Sequence, residues 1–275
     1  MDFSKYEATA NDFIMVDCTS GELHLSPEKV RALCDRRRGV GADGIIVMLP
    51  SEHADLAMRI FNADGTEAQM CGNGVRALLL YARDRRAIAG SRATIETVAG
   101  IKAVHEVPGG DGIRLFTVDM GAPAWMRPDV PMAGEGEAID VTVDLADGTV
   151  LTATCVSMGN PHCVVFVDEV SRFPVERFGP LVENHPLFPE KTNVEFARAI
   201  KDSYLEVRVW ERGVGETMAC GTGACASVVA ASLTGRTGKR ATVRLSGGDL
   251  VVDWMEDGVR LTGPARRVFE GKTVD

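Results

Sequence analysis

Glu67-Ala68-Gln69-Met70-Cys71-Gly72-Asn73-Gly74 and Glu216-Thr217-Met218-Ala219-Cys220-Gly221-Thr222-Gly223 stand 149 positions apart and share one pattern. In each, a strand-like run gives way to a cysteine, glycines turn the chain, and a helix follows, spanning Gly72 to Arg86 in one case and Gly221 to Leu233 in the other. At the same offset Asn11 meets Asn160, Leu56 meets Leu205, Arg59 meets Arg208, Glu67 meets Glu216 and Ala77 meets Ala226, without a gap. Fixed-offset self-similarity of this kind points to an internal duplication.

Around the two motifs the chain is rich in short β-branched or alternating runs. They are Phe13 to Val16, Gly44 to Leu49, Leu56 to Phe61, Ala93 to Val98, Gly112 to Val118, Val150 to Val156, His162 to Val167, Leu205 to Trp210, Ala241 to Leu245 and Leu250 to Trp254. Such runs are strand signals, and closely spaced turns such as Ser246-Gly247-Gly248-Asp249 favour antiparallel hairpins. Ser26-Pro27-Glu28 supplies an N-cap, a first helical residue and a first-turn acid, predicting a helix to about Arg37. The fold expected is α+β, with two similar domains related by a pseudo-twofold axis, each a curved antiparallel sheet wrapped around its post-cysteine helix. A Gly121-Ala122-Pro123 interruption sets the boundary, giving domains 1–120 and 121–264, with strand 265–275 returning to the first.

Composition narrows the function. The 275 residues are 45% hydrophobic and carry a formal charge of −9, so the overall field repels nucleic acid and anionic lipid. The N-terminus opens without a cationic stretch and apolar core of the secretory type, and a cytoplasmic location is expected. The uncharged stretch from Thr217 to Gly235 is made of small residues and is read as a buried helix, not a membrane span. Seven cysteines without a CxxC pair exclude a disulfide framework, and no His/Cys spacing fits a structural zinc site. None of the lysines sits in a Schiff-base context, so no cofactor and no metal are expected.

A cysteine at the start of a helix meets unpaired N–H groups and the positive end of the helix dipole. These favour anions, and the expectation is that they lower the thiol pKa and hold a substrate carboxylate. Two such cysteines related by duplication suit a two-base inversion, in which one sulfur removes a proton from a stereocentre and the other returns one to the opposite face.

The two motifs resemble those of the diaminopimelate epimerase family. Asn62-Ala63-Asp64-Gly65-Thr66, followed after four residues by Cys71-Gly72-Asn73-Gly74-Val75-Arg76, is similar to its first signature, with Thr66 in place of the usual Ser. Glu211-Arg212-Gly213-Val214-Gly215-Glu216-Thr217 followed by Ala219-Cys220-Gly221-Thr222-Gly223-Ala224 is similar to its second. Gly159-Asn160-Pro161-His162, Thr192-Asn193 and Thr262-Gly263-Pro264-Ala265 match further family segments.

The resemblance implies a cofactor-independent isomerase that converts LL-2,6-diaminopimelate to the meso isomer, in lysine and peptidoglycan precursor synthesis. It implies Cys71 and Cys220 as the catalytic pair, with His162 and Glu211 tuning their protonation. Asn11, Asn62, Gly72, Asn73, Asn160, Asn193, Glu211, Arg212, Gly221 and Thr222 are implied in holding a small diamino dicarboxylate, and Arg212 is the cation suited to its distal carboxylate. A homodimer is implied, with Phe269 at a position where a Tyr is associated with dimer packing.

The chain departs from the family at Ala8-Thr9-Ala10, where many members carry a Gly-Leu-Gly-like triplet, and at Gly44, where some carry Gln. Two rivals stand beside this reading. One is a racemase or epimerase of the same fold acting on another amino acid such as histidine; the other is a dithiol redox protein or a binding module.

Overall fold

The computed structural model describes residues 1–21, 25–110 and 112–274, and the chain divides into two compact units. Unit 1 comprises Met1–Asp119 with Thr262–Asp275, and unit 2 comprises Met120–Leu261. Position 275 of the expected returning strand lies outside the described residues.

In unit 1, β1 (Asp2–Ala8) and β2 (Asn11–Asp17) form a hairpin, and α1 (Pro27–Cys34) leads to β3 (Gly44–Leu49). Next come β4 (Leu56–Asn62), the short β5 (Glu67–Ala68), α2 (Gly72–Asp84), β6 (Arg92–Thr97), β7 (Gly100–Val107) and β8 (Leu115–Gly121). The C-terminal strand Arg266–Lys272 pairs antiparallel with β1. Two pairings are parallel, β2 with β3 and β4 with β6, and the long connections they require carry α1 and α2.

In unit 2, β9 (Val141–Asp144), β10 (Val150–Ser157) and β11 (Pro161–Phe166) form a meander, and α3 (Val175–Glu183) follows. Then come β12 (Asn193–Lys201), β13 (Tyr204–Glu211), β14 (Gly215–Thr217), α4 (Gly221–Leu233), β15 (Arg240–Leu245), β16 (Gly248–Met255) and β17 (Gly258–Pro264). The parallel pairs are again β11 with β12 and β13 with β15. Phe13 faces Gly44 in unit 1 and His162 faces Asn193 in unit 2, each pair displaced by the repeat offset.

Each unit buries its post-cysteine helix. From Gly72 to Ala82 every residue of α2 is buried, and Leu78, Leu79 and Leu80 are at most 2% exposed. A fully buried leucine contributes roughly 1.5–3 kcal/mol, so this helix is held by its surroundings and not by propensity. The α4 helix uses small residues instead, among them Ala224, Ala226, Ala230 and Ala231, all fully buried, which lets the surrounding strands approach closely.

The structure corrects several expectations. α1 ends at Cys34, because the Asp35 carboxylate accepts the N–H groups of Arg37 and Arg38 and turns the chain there. The strand expected from Gly112 begins at Leu115. Strands β1, β7, β9, β12 and β17 and helix α3 carried no clear signal, α3 in part because Pro180 lies inside it.

Candidate active site

In unit 1 the candidate residues gather where the β1–β2 turn meets the start of α2. Cys71 is the N-cap of α2, and its sulfur accepts the Gly74 N–H at 3.4 Å. The Cys71 thiol also lies 3.7 Å from Asn11 Oδ1, which accepts from Asn73 Nδ2 at 3.4 Å. Asn11 in turn donates from Nδ2 to Asp43 at 2.9 Å, and Arg36 bridges Asp43 and Asp12 at 2.7 Å each. Burial alone would raise the Asp12 carboxyl, but Arg36 and Lys5 override it and hold Asp12 well below the usual carboxylate range. The network fixes the amide that touches the sulfur.

Arg76, one turn into α2, is fully buried. It donates to Thr9 Oγ1 at 2.9 Å and to Asn73 Oδ1 at 2.8 Å. Thr9 and Ala10 form the two-residue turn with φ of 55° and 59°, the conformation in which glycine is favoured. The hydroxyl bonded to Arg76 explains why Thr stands at position 9 despite its backbone cost. Gly44 admits no side chain here, since an added Cβ would lie 2.5 Å from the Phe61 carbonyl oxygen. Asn62 makes its side-chain bond to Thr66, shaping the turn between β4 and β5.

In unit 2 a second set gathers at the start of α4. Cys220 is the N-cap, 7% exposed, with its sulfur accepting the Gly223 N–H at 3.4 Å and lying 3.4 Å from Thr222 Oγ1. Asn160 Nδ2 reaches Thr222 Oγ1 at 3.5 Å, and its Oδ1 lies 3.1 Å from His162 Nε2. Glu211, at the end of β13, accepts the Thr217 hydroxyl.

Asn193 is buried as a brace: Nδ2 donates to Pro161 O and Oδ1 accepts the Arg212 N–H, both at 2.9 Å. Arg212 itself is exposed, with Nη1 on the Glu190 carbonyl at 2.9 Å. Glu183, on the helix the sequence did not reveal, accepts from Trp210 Nε1 and from the Gly213 N–H and so holds the turn that carries Arg212. Phe269 is stacked edge-on against Phe3 and 45% exposed.

For Cys220 the expected lowering of the thiol pKa is overturned. Burial pushes it well above its ordinary range, and the Glu211 and Glu195 carboxylates push the same way; the Thr222 hydroxyl and the Gly223 N–H pull against them. Removing water from a sulfur costs more than one helix terminus returns. A thiol of this kind holds its proton near neutral pH.

Among the described residues no cluster of metal-ligating side chains occurs and no helix is long and apolar enough to cross a membrane.

A family model described as diaminopimelate epimerase matches residues 3–126 and 154–268. A diaminopimelate epimerase of Moorella thermoacetica is 48% identical over 278 residues, covering 98% of each chain. That of Synechococcus elongatus is 49% identical, covering 98% of this chain and 97% of its own. One from Methanococcus maripaludis is 45% identical, covering 99% of each. Among solved structures, a Bacillus anthracis phenazine biosynthesis protein of the PhzF family superposes with a TM-score of 0.72 at 19% identity, covering 100% of this chain and 99% of its own. A hydroxyproline epimerase of Agrobacterium vitis gives 0.72 at 14% identity, with 98% and 91% covered. At these identities the structural likeness concerns the fold alone.

Proposed function

The chain belongs to the diaminopimelate epimerase family and is an isomerase, and we propose that Cys71 and Cys220 invert one Cα of LL-2,6-diaminopimelate by proton transfer on opposite faces. One sulfur, as thiolate, takes the α-proton; the carbanion left behind is protonated on its other face by the second, as thiol. No net charge or proton is gained over the reaction, and the two sulfurs exchange protonation states. The observation that carries this reading is the recurrence of a Gly-flanked N-cap cysteine at equivalent positions of two like-folded units.

The residues around each sulfur fit the same chemistry. First-turn N–H groups of α2 and α4, at Gly72, Asn73, Gly221 and Thr222, have no partner within their own helices and suit the α-carboxylate as charge builds at Cα. Asn11 and Asn160 offer neutral amide groups beside the two sulfurs, suited to an α-ammonium and carboxylate together. Asn62, Asn193 and Glu211 would complete the polar lining, and Arg212 would take the distal carboxylate. His162 and Glu211 would tune the thiols. In this reading the enzyme works in the cytoplasm as a homodimer packed through Phe269, without a cofactor, supplying lysine and cell-wall precursors.

The test is a coupled epimerase assay on the wild type beside Cys71→Ala and Cys220→Ala. Loss of each sulfur is expected to lower steady-state turnover by at least about 10³-fold, as for removal of an acid or base from the reacting atom. Retention of turnover within tenfold in either variant would contradict the assignment. Solvent deuterium uptake at Cα across a panel of L-amino acids fixes the substrate: exchange with histidine but not diaminopimelate would overturn it.

A further inference from the structure

Glu195 lies on β12 beneath the start of α4, is fully buried, and belongs to none of the motifs that pointed to the site. Its Oε1 is 2.7 Å from His162 Nδ1, and Oε2 is buried with no hydrogen-bond partner among the described residues. Oε1 also lies 2.5 Å from where a Cβ on Gly223 would stand, so the glycine of the second motif makes room for this carboxyl.

The protonation of this pair follows from its surroundings. Asn160 Oδ1 can only accept, so the ring nitrogen 3.1 Å from it, His162 Nε2, is the donor. Two arrangements of the pair are compatible with that bond: a carboxylic acid donating to Nδ1, or a carboxylate facing an imidazolium. In both, His162 Nε2 carries a proton. Nε2–H therefore donates to Asn160 Oδ1 at 3.1 Å, which fixes the amide orientation and turns Nδ2 toward Thr222 Oγ1 at 3.5 Å. A hydroxyl that accepts from Asn160 has its own proton free for the Cys220 sulfur, 3.4 Å away.

We propose that Glu195 is a positioning residue for proton transfer: through His162 and Asn160 it sets the direction of a hydrogen-bond chain that ends with the Thr222 hydroxyl donating to Cys220. Cooperative chains of this kind hold one polarity when one end is fixed. Unit 1 has no such pair at the corresponding positions. At the repeat offset Glu195 corresponds to Ile46 and His162 to Phe13, both buried, and the Ile46 side chain is what an added Cβ on Gly74 would meet. The proposal rests on the reading of Cys220 as a proton-transfer group.

A double-mutant cycle in the otherwise intact enzyme tests it, using Glu195→Ile, His162→Phe, the double variant and Glu195→Gln. Glu195→Ile should lower kcat/KM by roughly 10–100-fold, the usual cost of losing a partner that orients a functional group. On the His162→Phe background the same change should cost less than twofold. Glu195→Gln should stay within about threefold of wild type, because an amide that donates to Nδ1 leaves Nε2–H in place. Equal losses on the two backgrounds, or a Gln variant as poor as the Ile variant, would overturn the proposal.

A second arm needs no variant. With ¹⁵N-labelled histidine, the wild-type His162 Nε2 should resonate as a protonated nitrogen at the assay pH, and a neutral Nδ1–H tautomer would overturn the proposal. All of these proteins keep both cysteines, so the function tested by the cysteine variants and the role of Glu195 can fail independently.

Discussion

The surroundings of the two cysteines share a backbone plan and differ in many of the polar residues laid upon it. Gly44 faces Asn62 across β3 and β4, and the equivalent strands β12 and β13 run in the same register, with Val194 facing Trp210 as Ile45 faces Phe61. Both sulfurs cap a helix and accept the N–H three residues on. Around them, however, Phe13, Gly44, Ile46, Asn62, Asn73 and Arg76 of the first half stand where the second has His162, Asn193, Glu195, Glu211, Thr222 and Cys225. The first sulfur has a buried guanidinium one turn along its helix; the second has two carboxylates near it. Duplication supplied two equivalent positions for a thiol, and divergence gave them different neighbours.

The largest consequence concerns the buried cation. Arg76→Met should destabilise the fold by about 3 kcal/mol in denaturant unfolding, because Thr9, Asn73 and the Pro264 carbonyl lose their donor in a dry environment. Cys225→Ala at the equivalent position should cost about 1 kcal/mol. Equal costs would mean that the two helix starts are not electrostatically different.

Next is the second thiol itself. Alkylation requires thiolate, and the Cys220 pKa is pushed well above 9, so its thiolate fraction grows tenfold per pH unit below that value. In Cys71→Ala, iodoacetamide labelling of Cys220, followed by peptide mass, should accelerate about 100-fold from pH 7 to pH 9 without a plateau. A plateau before pH 8 would show that Thr222 and the helix start outweigh burial.

Arg212 stands where the first half has Ala63, so its role has no duplicate. Arg212→Lys should raise KM for diaminopimelate roughly tenfold with little change in kcat, since a point charge replaces a fork matched to a carboxylate. An unchanged KM would remove the distal carboxylate from this residue.

The smallest effect is at the β1–β2 turn. Ala10→Gly should stabilise the protein by about 1 kcal/mol, relieving a left-handed alanine, visible as a rise of a few degrees in Tm. No gain would mean that the turn carries no such strain.

Much of this was legible in the sequence because the cysteine motifs combine glycine turns, repeat spacing and helix-forming runs, all of which act locally. The helices after Cys71 and Cys220 begin at the expected residues, and α4 also ends where expected. Strands such as β7 and β12 mix charged and apolar residues because they are only partly covered, and α3 contains a proline. Glu195 was not legible: a lone acid between Val194 and Phe196 looks like a solvent-facing strand residue, and only the partner brought alongside by β11 gives it meaning. Asp43 and Glu183 escaped notice similarly, as their roles depend on chain segments distant in sequence. For Cys220 the thiol pKa expectation failed because a sequence shows a helix start but not how much water it excludes.

In the proposed mechanism different sulfurs remove and deliver the proton. The direct measurement is epimerisation of LL-diaminopimelate in D₂O, stopped at low conversion, with deuterium located by NMR in product and in recovered substrate. One solvent deuterium is expected at the inverted Cα of essentially every product molecule and none in the recovered substrate. Product that keeps the original proton would mean that a single group performs both transfers, and the two-sulfur mechanism would be wrong.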